Sequence, residues 1–321
     1  MSLNVGVIGA GAMGTAVSQC IAQNTNKLLL YARREEICDD INSNHINCEY
    51  HPGIELHDNI VAVNDLHDLK DVDVIFLCIP SSIMRKTMAQ LNNIVSDKCI
   101  FVSTAKGIEN KTNKRMSEVI KEETGKCAVV LSGPNIASEM MKNLPSATTI
   151  AGENKKELEI VESVLTTPKF KVNTNQDVIG TEFCGIIKNI LAISQGICKG
   201  MGINDNARFA VFTESYNETK NIIEKLGGNR LTVDDYCGFG DIITASTLNV
   251  SRNHTLGIWY GQGVYLDEQT GVLFEGKNTA IVLKKICDKL NIECLTVNFV
   301  YDVVILKKSP KKAFYALWEK L

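Results

Sequence analysis

The chain has 321 residues, of which 45% are hydrophobic and 22% are charged. Its length fits two domains, and its composition excludes a largely disordered chain. With 34 basic and 37 acidic residues, the formal net charge is −3, so the chain has no basic footprint for a dedicated nucleic-acid binder. No apolar run approaches the roughly 18 residues of a membrane span, and the amino terminus lacks a basic signal region.

The cysteines and histidines predict neither a disulfide framework nor a metal site. Eleven cysteines are scattered along the chain, and no two of them form a Cys-x-x-Cys pair. Reduced thiols in the cytoplasm are the simplest interpretation of this pattern. The five histidines show no ligand spacing, so we expect no metal.

The first half of the chain alternates short apolar runs with segments of helical length. Because the apolar runs are continuous, they predict strands that are covered on both faces, as in a parallel sheet. The predicted strands are Val5–Ala10, Leu28–Tyr31, Val74–Pro80, Ile100–Thr104 and Ala128–Ser132, with short additions near Ala147–Ile150 and Phe170–Val172. The predicted helices between them are Thr15–Asn24, Ser82–Val95 and Lys114–Glu123. Residues 1–180 are therefore expected to form a doubly wound, mostly parallel α/β domain.

Residues 181–321 have a different pattern, in which long helical segments dominate. These segments are Glu182–Cys198, Ala207–Leu226, Asn278–Leu290, Val297–Leu306 and Pro310–Leu321. Gly227-Gly228 is a helix stop, and Ser309-Pro310 is a helix start. The second domain is therefore expected to be mainly α-helical.

A glycine-rich turn follows the first predicted strand and opens a helix. In Gly9-Ala10-Gly11-Ala12-Met13-Gly14, the first glycine permits the tight turn. Gly11 lets the backbone approach a pyrophosphate, and Gly14 permits close packing of helix on strand. The helix amides then face the phosphates. In this setting the motif predicts a Rossmann-type dinucleotide site, although a purely structural turn is the alternative.

The end of the second strand bears on the choice of cofactor. NAD sites often carry a carboxylate there, which binds the ribose 2′-hydroxyl, but this chain has Arg33-Arg34, with Glu35 and Glu36 following. Two guanidinium groups can hold a 2′-phosphate. We therefore favour NADP slightly over NAD, and a pair of surface arginines is the alternative.

Six further segments carry a family resemblance over almost the full length. They are Ser103-Thr104-Ala105-Lys106-Gly107, Ser132-Gly133-Pro134-Asn135-Ile136-Ala137-Ser138-Glu139, Gly185-Ile186-Ile187-Lys188-Asn189-Ile190-Leu191-Ala192, Gly238-Phe239-Gly240-Asp241, Ser251-Arg252-Asn253 and Glu275-Gly276. Each is modest alone, but in this order and spacing the chain resembles the NAD(P)-dependent glycerol-3-phosphate dehydrogenases. The resemblance implies reversible conversion of dihydroxyacetone phosphate and NAD(P)H into sn-glycerol 3-phosphate and NAD(P)+. It also implies a homodimer.

The resemblance implies roles for individual residues. Lys188 is the implied proton donor and acceptor. The implied substrate site comprises Lys106, Gly133, Asn135, Lys188, Asn189, Asp241, Ser251, Arg252 and Asn253, with Ser251 the weakest member. The predicted cofactor site comprises the turn residues Gly9, Gly11, Ala12, Met13 and Gly14 with Arg33 and Arg34, to which the resemblance adds Lys106, Ala137, Arg252 and Glu275.

Lys188 also has a physical rationale of its own. On a helix it neighbours Cys184, Gly185, Leu191 and Ala192. A charged lysine is costly to bury among such residues, and a lysine in this setting can exchange a proton with a hydroxyl or carbonyl oxygen. Composition alone favours a lysine that reaches solvent from the helix edge, whereas the resemblance favours the catalytic role.

The other site residues have structural alternatives. Lys106 follows a strand and either orients the substrate or lies at a surface turn. Asp241 either binds a substrate hydroxyl or holds Lys188 in place, and its structural alternative, a helix N-cap, is compatible with such a role. For the remaining segments, the alternatives without a functional role are a strand-ending turn at Gly133–Asn135, a surface loop at Ser251–Asn253 and an exposed glutamate at Glu275.

Two departures from the family pattern are evident. Met13 stands where the family often has an aromatic residue, and Thr213-Glu214-Ser215 replaces a Thr-Arg-Gly-like stretch. Two rival functions also stay open. One is a related 3-hydroxyacid or ketopantoate-type dehydrogenase, and the other is a non-enzymatic NAD(P) sensor.

Overall fold

The computed structural model describes residues 3–248, 251–265 and 275–321. The chain divides into two compact units. The first runs to Ala105 and resumes over Lys114–Val178, and the second comprises Lys106–Asn113 and Ile179–Leu321. The short segment Lys106–Asn113 was not predicted to separate from the sheet domain in this way.

The first unit contains an eight-stranded sheet and a two-stranded hairpin. The strands are β1 (Asn4–Ile8), β2 (Lys27–Tyr31), β3 (Ile46–Asn47), β4 (His51–Glu55), β5 (Ile60–Val63), β6 (Val74–Leu77), β7 (Ile100–Ser103), β8 (Val129–Ser132), β9 (Ser146–Ala151) and β10 (Phe170–Asn175). The sheet order is β10-β9-β8-β7-β6-β1-β2-β5, and only the β8–β9 pair is antiparallel. The predicted doubly wound, mostly parallel fold is confirmed.

Six α-helices accompany this sheet in the described part of the first unit. They are α1 (Ala12–Ile21), α2 (Glu35–Asn44), α3 (Ser81–Leu91), α4 (Met116–Thr124), α5 (Ala137–Met141) and α6 (Lys155–Leu165). Residues of β1 and β6 are almost fully buried, among them Val5, Val7 and Phe76 at 0% exposure, because helices cover both faces of the sheet. From β1, the chain first adds strands on one side of the sheet, through β2 and β5, and then on the other side, starting with β6. Ligands of open α/β sheets bind at the switch point between two such strands, here β1 and β6.

The second unit is helical, as the sequence predicts. Its helices are α7 (Val178–Gly200), α8 (Asp205–Lys225), α9 (Asp241–Thr247), α10 (Arg252–Gly261), α11 (Glu275–Lys289), α12 (Leu295–Val304) and α13 (Pro310–Trp318). Gly227 has a φ of +88° just beyond the end of α8, which confirms the predicted stop. Among the described residues, no helix is long and apolar enough to cross a membrane.

The central helix α7 packs against α10 at backbone distance. A Cβ built on Gly196 would lie 2.2 Å from the carbonyl oxygen of His254, and one on Gly257 would lie 2.3 Å from that of Ile193. Only glycine permits this approach. The crossing fixes α10, and with it Asn253, against the helix that carries Lys188.

Candidate active site

The glycine turn of the first unit is a backbone cradle. Gly9 has a φ of +108°, and its amide donates a hydrogen bond to the carbonyl of Tyr31 at 3.1 Å. A Cβ on Gly14 would lie 1.8 Å from the carbonyl oxygen of Gly9, whereas one on Gly11 would meet nothing nearer than Tyr50 Cε1 at 4.0 Å. The turn is therefore tight on its inner side and open at Gly11, as a pyrophosphate-binding turn requires.

The β3–β4 hairpin, which the sequence analysis missed, holds this turn in place. Asn47 Nδ2 donates to the Ala10 carbonyl at 3.1 Å and to Thr15 Oγ1 at 2.9 Å. His51 Nε2 lies 2.8 Å from the Ala12 carbonyl oxygen. Asn47 and His51 are both buried. No apolar alternation marks the hairpin in the sequence, because its anchors are polar side chains that bind the backbone of the turn.

The two arginines after β2 differ in their surroundings. Both are exposed, and Arg34 Nη2 forms a hydrogen-bonded ion pair with Glu49 Oε2 from the hairpin turn. Glu49 holds the pKa of Arg34 above its usual value through this hydrogen bond. Ala12 is exposed and Met13 is half-buried at the start of α1.

In the second unit, two lysines share one carboxylate. Lys106 Nζ lies 2.5 Å from Asp241 Oδ2, and Lys188 Nζ lies 2.6 Å from Asp241 Oδ1. The side chain of Asp241 is only 4% exposed, while the lysine side chains keep 18% and 14%. The amino groups are thus fixed in position, and the cluster retains a net positive charge. We call Lys106, Lys188 and Asp241 the charge cluster.

The pKa of Lys106 is strongly perturbed within this cluster. Burial lowers it from 10.5 to about 8, and the neighbouring charge of Lys188 acts in the same direction. The attraction of Asp241 opposes both effects. Groups whose pKa is strongly shifted by burial and a specific charged partner cluster at functional sites, so Lys106 is a functional-site candidate.

Local backbone features explain the place of Asp241. A Cβ on Gly238 would lie 2.2 Å from the Val233 carbonyl oxygen, so the chain turns tightly before α9. Asp241 is the first residue of α9, and Gly240 occupies the N-cap position. The helix-cap interpretation of Asp241 is therefore wrong, because its carboxylate binds the two lysines instead.

Two asparagines extend the charge cluster. Asn189 Nδ2 donates to the backbone carbonyl of Lys106 at 3.2 Å, and Asn253 Nδ2 donates to Asn189 Oδ1 at 2.9 Å. Gly276 lies beside this chain, since a Cβ there would be 2.5 Å from Asn253 Oδ1. The two asparagines join α7, α10 and the segment that carries Lys106.

The remaining predicted residues are placed as follows. In the first unit, Asn135 Nδ2 donates to the Ala147 carbonyl at 3.1 Å and its Oδ1 accepts from Thr148 Oγ1 at 3.1 Å, while a Cβ on Gly133 would lie 2.9 Å from Thr148 Cα. Ala137 begins α5.

Three predicted residues lie at helix starts in the second unit. Ser251 caps α10 by accepting from the His254 amide at 3.3 Å, and the exposed Arg252 is the first residue of that helix. Glu275 begins α11, but its side chain lies outside the described residues.

Profiles of known protein families match both units. The profile described as "NAD-dependent glycerol-3-phosphate dehydrogenase N-terminus" matches residues 4–158, and the corresponding C-terminus profile matches residues 177–315. The chain belongs to the NAD-dependent glycerol-3-phosphate dehydrogenase family. The resemblance noted in the sequence is thereby confirmed.

Individual relatives agree with this membership. The chain is 36% identical to the glycerol-3-phosphate dehydrogenase [NAD(P)+] of Clostridium botulinum (strain Eklund 17B / Type B), over 96% of this chain and 94% of the relative. The crystal structure of glycerol-3-phosphate dehydrogenase from Coxiella burnetii superposes with a TM-score of 0.92 at 29% identity, covering 99% of each chain. The enzyme of Saccharomyces cerevisiae superposes with a TM-score of 0.89 at 26% identity, also covering 99% of each chain.

One departure from the family pattern has a structural explanation. Ser215 is buried, its hydroxyl donates to the Val211 carbonyl at 2.7 Å, and it accepts from Thr296 Oγ1 at 2.8 Å. It therefore joins α8 to α12. Glu214 is exposed, and nothing in the structure explains why a glutamate stands at this position.

Sequence reasoning missed several residues that build the site. No sequence pattern marks the hairpin residues Asn47, Tyr50 and His51. The crossing of α7 and α10 does have a sequence pattern, because glycines recur at four-residue spacing in both helices, namely Gly196 and Gly200 in α7, and Gly257 and Gly261 in α10. Glycines inside helices usually have a packing reason, so this pattern was detectable.

Proposed function

We propose that this chain interconverts dihydroxyacetone phosphate and sn-glycerol 3-phosphate with NAD(P)H, with Lys188 as the proton donor and acceptor. The observation that carries the proposal is the charge cluster, in which a lysine amino group is fixed by a buried carboxylate within a chain of this family. The first unit would hold the cofactor, and the second would supply the acid–base chemistry.

The glycine turn fits a dinucleotide. The space at Gly11 is open, while Gly9 and Gly14 leave no room for a side chain. The turn and the start of α1, including Ala12 and Met13, would hold the pyrophosphate. Arg33 and Arg34 would hold a 2′-phosphate, and Ala137, Arg252 and Glu275 would complete the cofactor site as in the family. When bound, the nicotinamide group supplies or accepts the hydride.

The proton transfer is assigned to Lys188 Nζ. In reduction of the ketone, this amino group donates a proton to the carbonyl oxygen as the oxygen becomes a hydroxyl, and in the reverse direction it takes the proton back. Asp241 positions Nζ through the 2.6 Å hydrogen bond. Fixing the donor beside the reacting oxygen removes much of the entropic cost of the step.

The positive charges serve the substrate phosphate and oxygen atoms. Arg252 offers a planar pair of donors suited to phosphate, and we assign the phosphate to it, to Asn253 and to Ser251. Lys106 would orient the substrate oxygen, with Gly133 and Asn135 completing the substrate site. Asn189 would hold Lys106 through the backbone carbonyl that it already binds.

The direct test is the loss of reduced-nicotinamide absorbance with dihydroxyacetone phosphate, with NADPH and NADH assayed in parallel. Rapid oxidation is the expected result. Activity on 3-hydroxyacids or ketopantoate, with none on dihydroxyacetone phosphate, would select the carboxylate-substrate dehydrogenase instead. Cofactor binding without turnover on any carbonyl substrate would favour the sensor.

The homodimer and the cytoplasmic location stay predictions. The homodimer follows from the family resemblance, and the cytoplasmic location follows from the cysteine pattern. Light scattering coupled to size-exclusion chromatography would measure the mass of the assembly directly, and a monomeric mass would contradict the dimer.

A further inference from the structure

Glu49 lies in the tight turn of the β3–β4 hairpin, opposite the end of β2. Its Oε2 binds Arg34 Nη2, and the two side chains are each about half exposed, at 48% and 45%. The pair therefore joins the hairpin to the position from which the cofactor ribose is recognised in folds of this type.

The hairpin backbone on both sides of Glu49 is tethered. The Cys48 amide donates to Asp40 Oδ2 at 2.8 Å, and the Tyr50 amide donates to the Asn47 carbonyl at 3.2 Å. Asn47 itself binds the glycine turn. Glu49 is thus presented from a fixed backbone rather than from a free loop.

Arg33 provides the contrast. It is exposed, and within the described ranges it makes no hydrogen bond or ion pair of its own. Of two consecutive arginines at the end of β2, one is therefore neutralised by a carboxylate and the other is not. An incoming anion would have to compete with Glu49 for Arg34.

We propose that Glu49 sets the choice between the two nicotinamide cofactors, by supplying from the hairpin the carboxylate that NAD sites usually carry at the end of β2. A ribose 2′-hydroxyl can donate a hydrogen bond to this carboxylate, whereas a 2′-phosphate is repelled by it and must displace it from Arg34. Glu49 thereby favours NAD(H) and offsets the attraction of the two arginines for NADP(H). This inference rests on the proposed dehydrogenase function.

The test compares Glu49→Gln with Glu55→Gln. Glu55 lies in the same hairpin and is exposed, and within the described part of the chain the ion-pair partner of Arg34 is Glu49. Both variants therefore lose one negative charge, and only the first loses the ion pair. Dissociation constants for NADPH and NADH are measured by fluorescence titration of the protein without substrate. Glu49→Gln should bind NADPH about threefold to tenfold more tightly and NADH about twofold to fivefold more weakly.

The second part of the test repeats the Glu49→Gln titrations in a protein that also carries Arg34→Ala. In that background Glu49→Gln should have a smaller effect on NADPH affinity than in the native protein, because the competition for Arg34 is gone and only the direct repulsion between carboxylate and phosphate remains. Equal changes for both cofactors, or equal changes in the Glu49 and Glu55 variants, would overturn the inference.

The titrations need no turnover, so the inference and the proposed function can fail separately. Cofactor binding with the expected shift but no oxidation of NAD(P)H by dihydroxyacetone phosphate would overturn the proposed reaction alone. A protein that binds neither cofactor would overturn both.

Discussion

The candidate functional residues of the two units are of different kinds. In the first unit the cradle is backbone, shaped by Gly9 and Gly14 and held by side chains that bind its carbonyl groups. In the second unit the working groups are charged side chains from distant positions, with Lys106 and Lys188 lying 135 and 53 residues from Asp241 in sequence.

This difference predicts that substitutions in the two units impair the protein for different reasons. A backbone cradle fails when atoms are added, because a Cβ has no room. A charge cluster fails when a charge is removed or moved, because each member sets the electrostatic environment of the others. The following substitutions distinguish steric failure of the cradle from electrostatic failure of the charge cluster, from the largest expected effect to the smallest.

Lys188→Ala should abolish turnover while leaving cofactor binding nearly unchanged. Removing a general acid–base group typically costs about 10²–10⁴-fold in rate. The measurements are steady-state oxidation of NADPH and titration of the cofactor. Lys199→Ala, an exposed lysine in the last turn of the same helix, is the control and should stay active. Near-wild-type turnover in folded Lys188→Ala protein would refute the assigned role.

Gly14→Ala should destabilise the protein, whereas Gly11→Ala should not. The first places a Cβ 1.8 Å from the Gly9 carbonyl oxygen, whereas the nearest atom to a Cβ on Gly11 is Tyr50 Cε1 at 4.0 Å. Gly14→Ala should lower the free energy of unfolding by about 1–3 kcal/mol, whereas Gly11→Ala should leave it nearly unchanged. Denaturant melts measure the difference, and equal stabilities would contradict the tight-turn geometry.

Arg33→Asp combined with Arg34→Ser should weaken NADPH much more than NADH. Hydrogen bonds to charged groups contribute about 1.5–3 kcal/mol each, so the loss of NADPH affinity should exceed tenfold or so. Parallel titrations of the two cofactors provide the measurement. Equal losses would show that neither arginine recognises the 2′-phosphate.

The Lys106 amino group should give the pH profile a descending limb. Since its pKa is about 8, the ammonium form is lost as the pH rises through this value. The rate constant kcat/KM for dihydroxyacetone phosphate, which reports groups of the free enzyme, should therefore fall above pH 8 or so. Lys106→Arg keeps its charge in this range, so any activity that it retains should lack this limb. An unchanged profile in that variant would exclude Lys106 as its source.

The sequence predicted features that depend on local pattern. Continuous apolar runs such as Val5–Ala10 predicted buried parallel strands, and the glycine spacing predicted the turn between β1 and α1. Strand β5 and helix α2 were not predicted, because β5 is a short edge strand and α2 is largely polar on its exposed side.

In the candidate site, too, individual residues were predicted more fully than the contacts between them. The contact between Lys188 and Asp241 was one of the alternatives that the sequence offered, and the structure shows it. The sharing of the same carboxylate with Lys106 was not predicted, and the cap assigned to Asp241 as an alternative was incorrect. Arg34 was identified without its partner Glu49, which lies in a hairpin that no periodicity marks.

The sequence by itself determined the doubly wound sheet, the glycine turn, the helical second unit and the family. These follow from residue periodicity, from the steric needs of glycine and from motifs that each lie within a few consecutive residues. Only the tertiary structure decided which charges meet, because Lys106, Lys188 and Asp241 stand on separate segments, as do Arg34 and Glu49. The distances between such groups depend on how the segments pack, and that packing sets the pKa of Lys106 and the partner of Arg34.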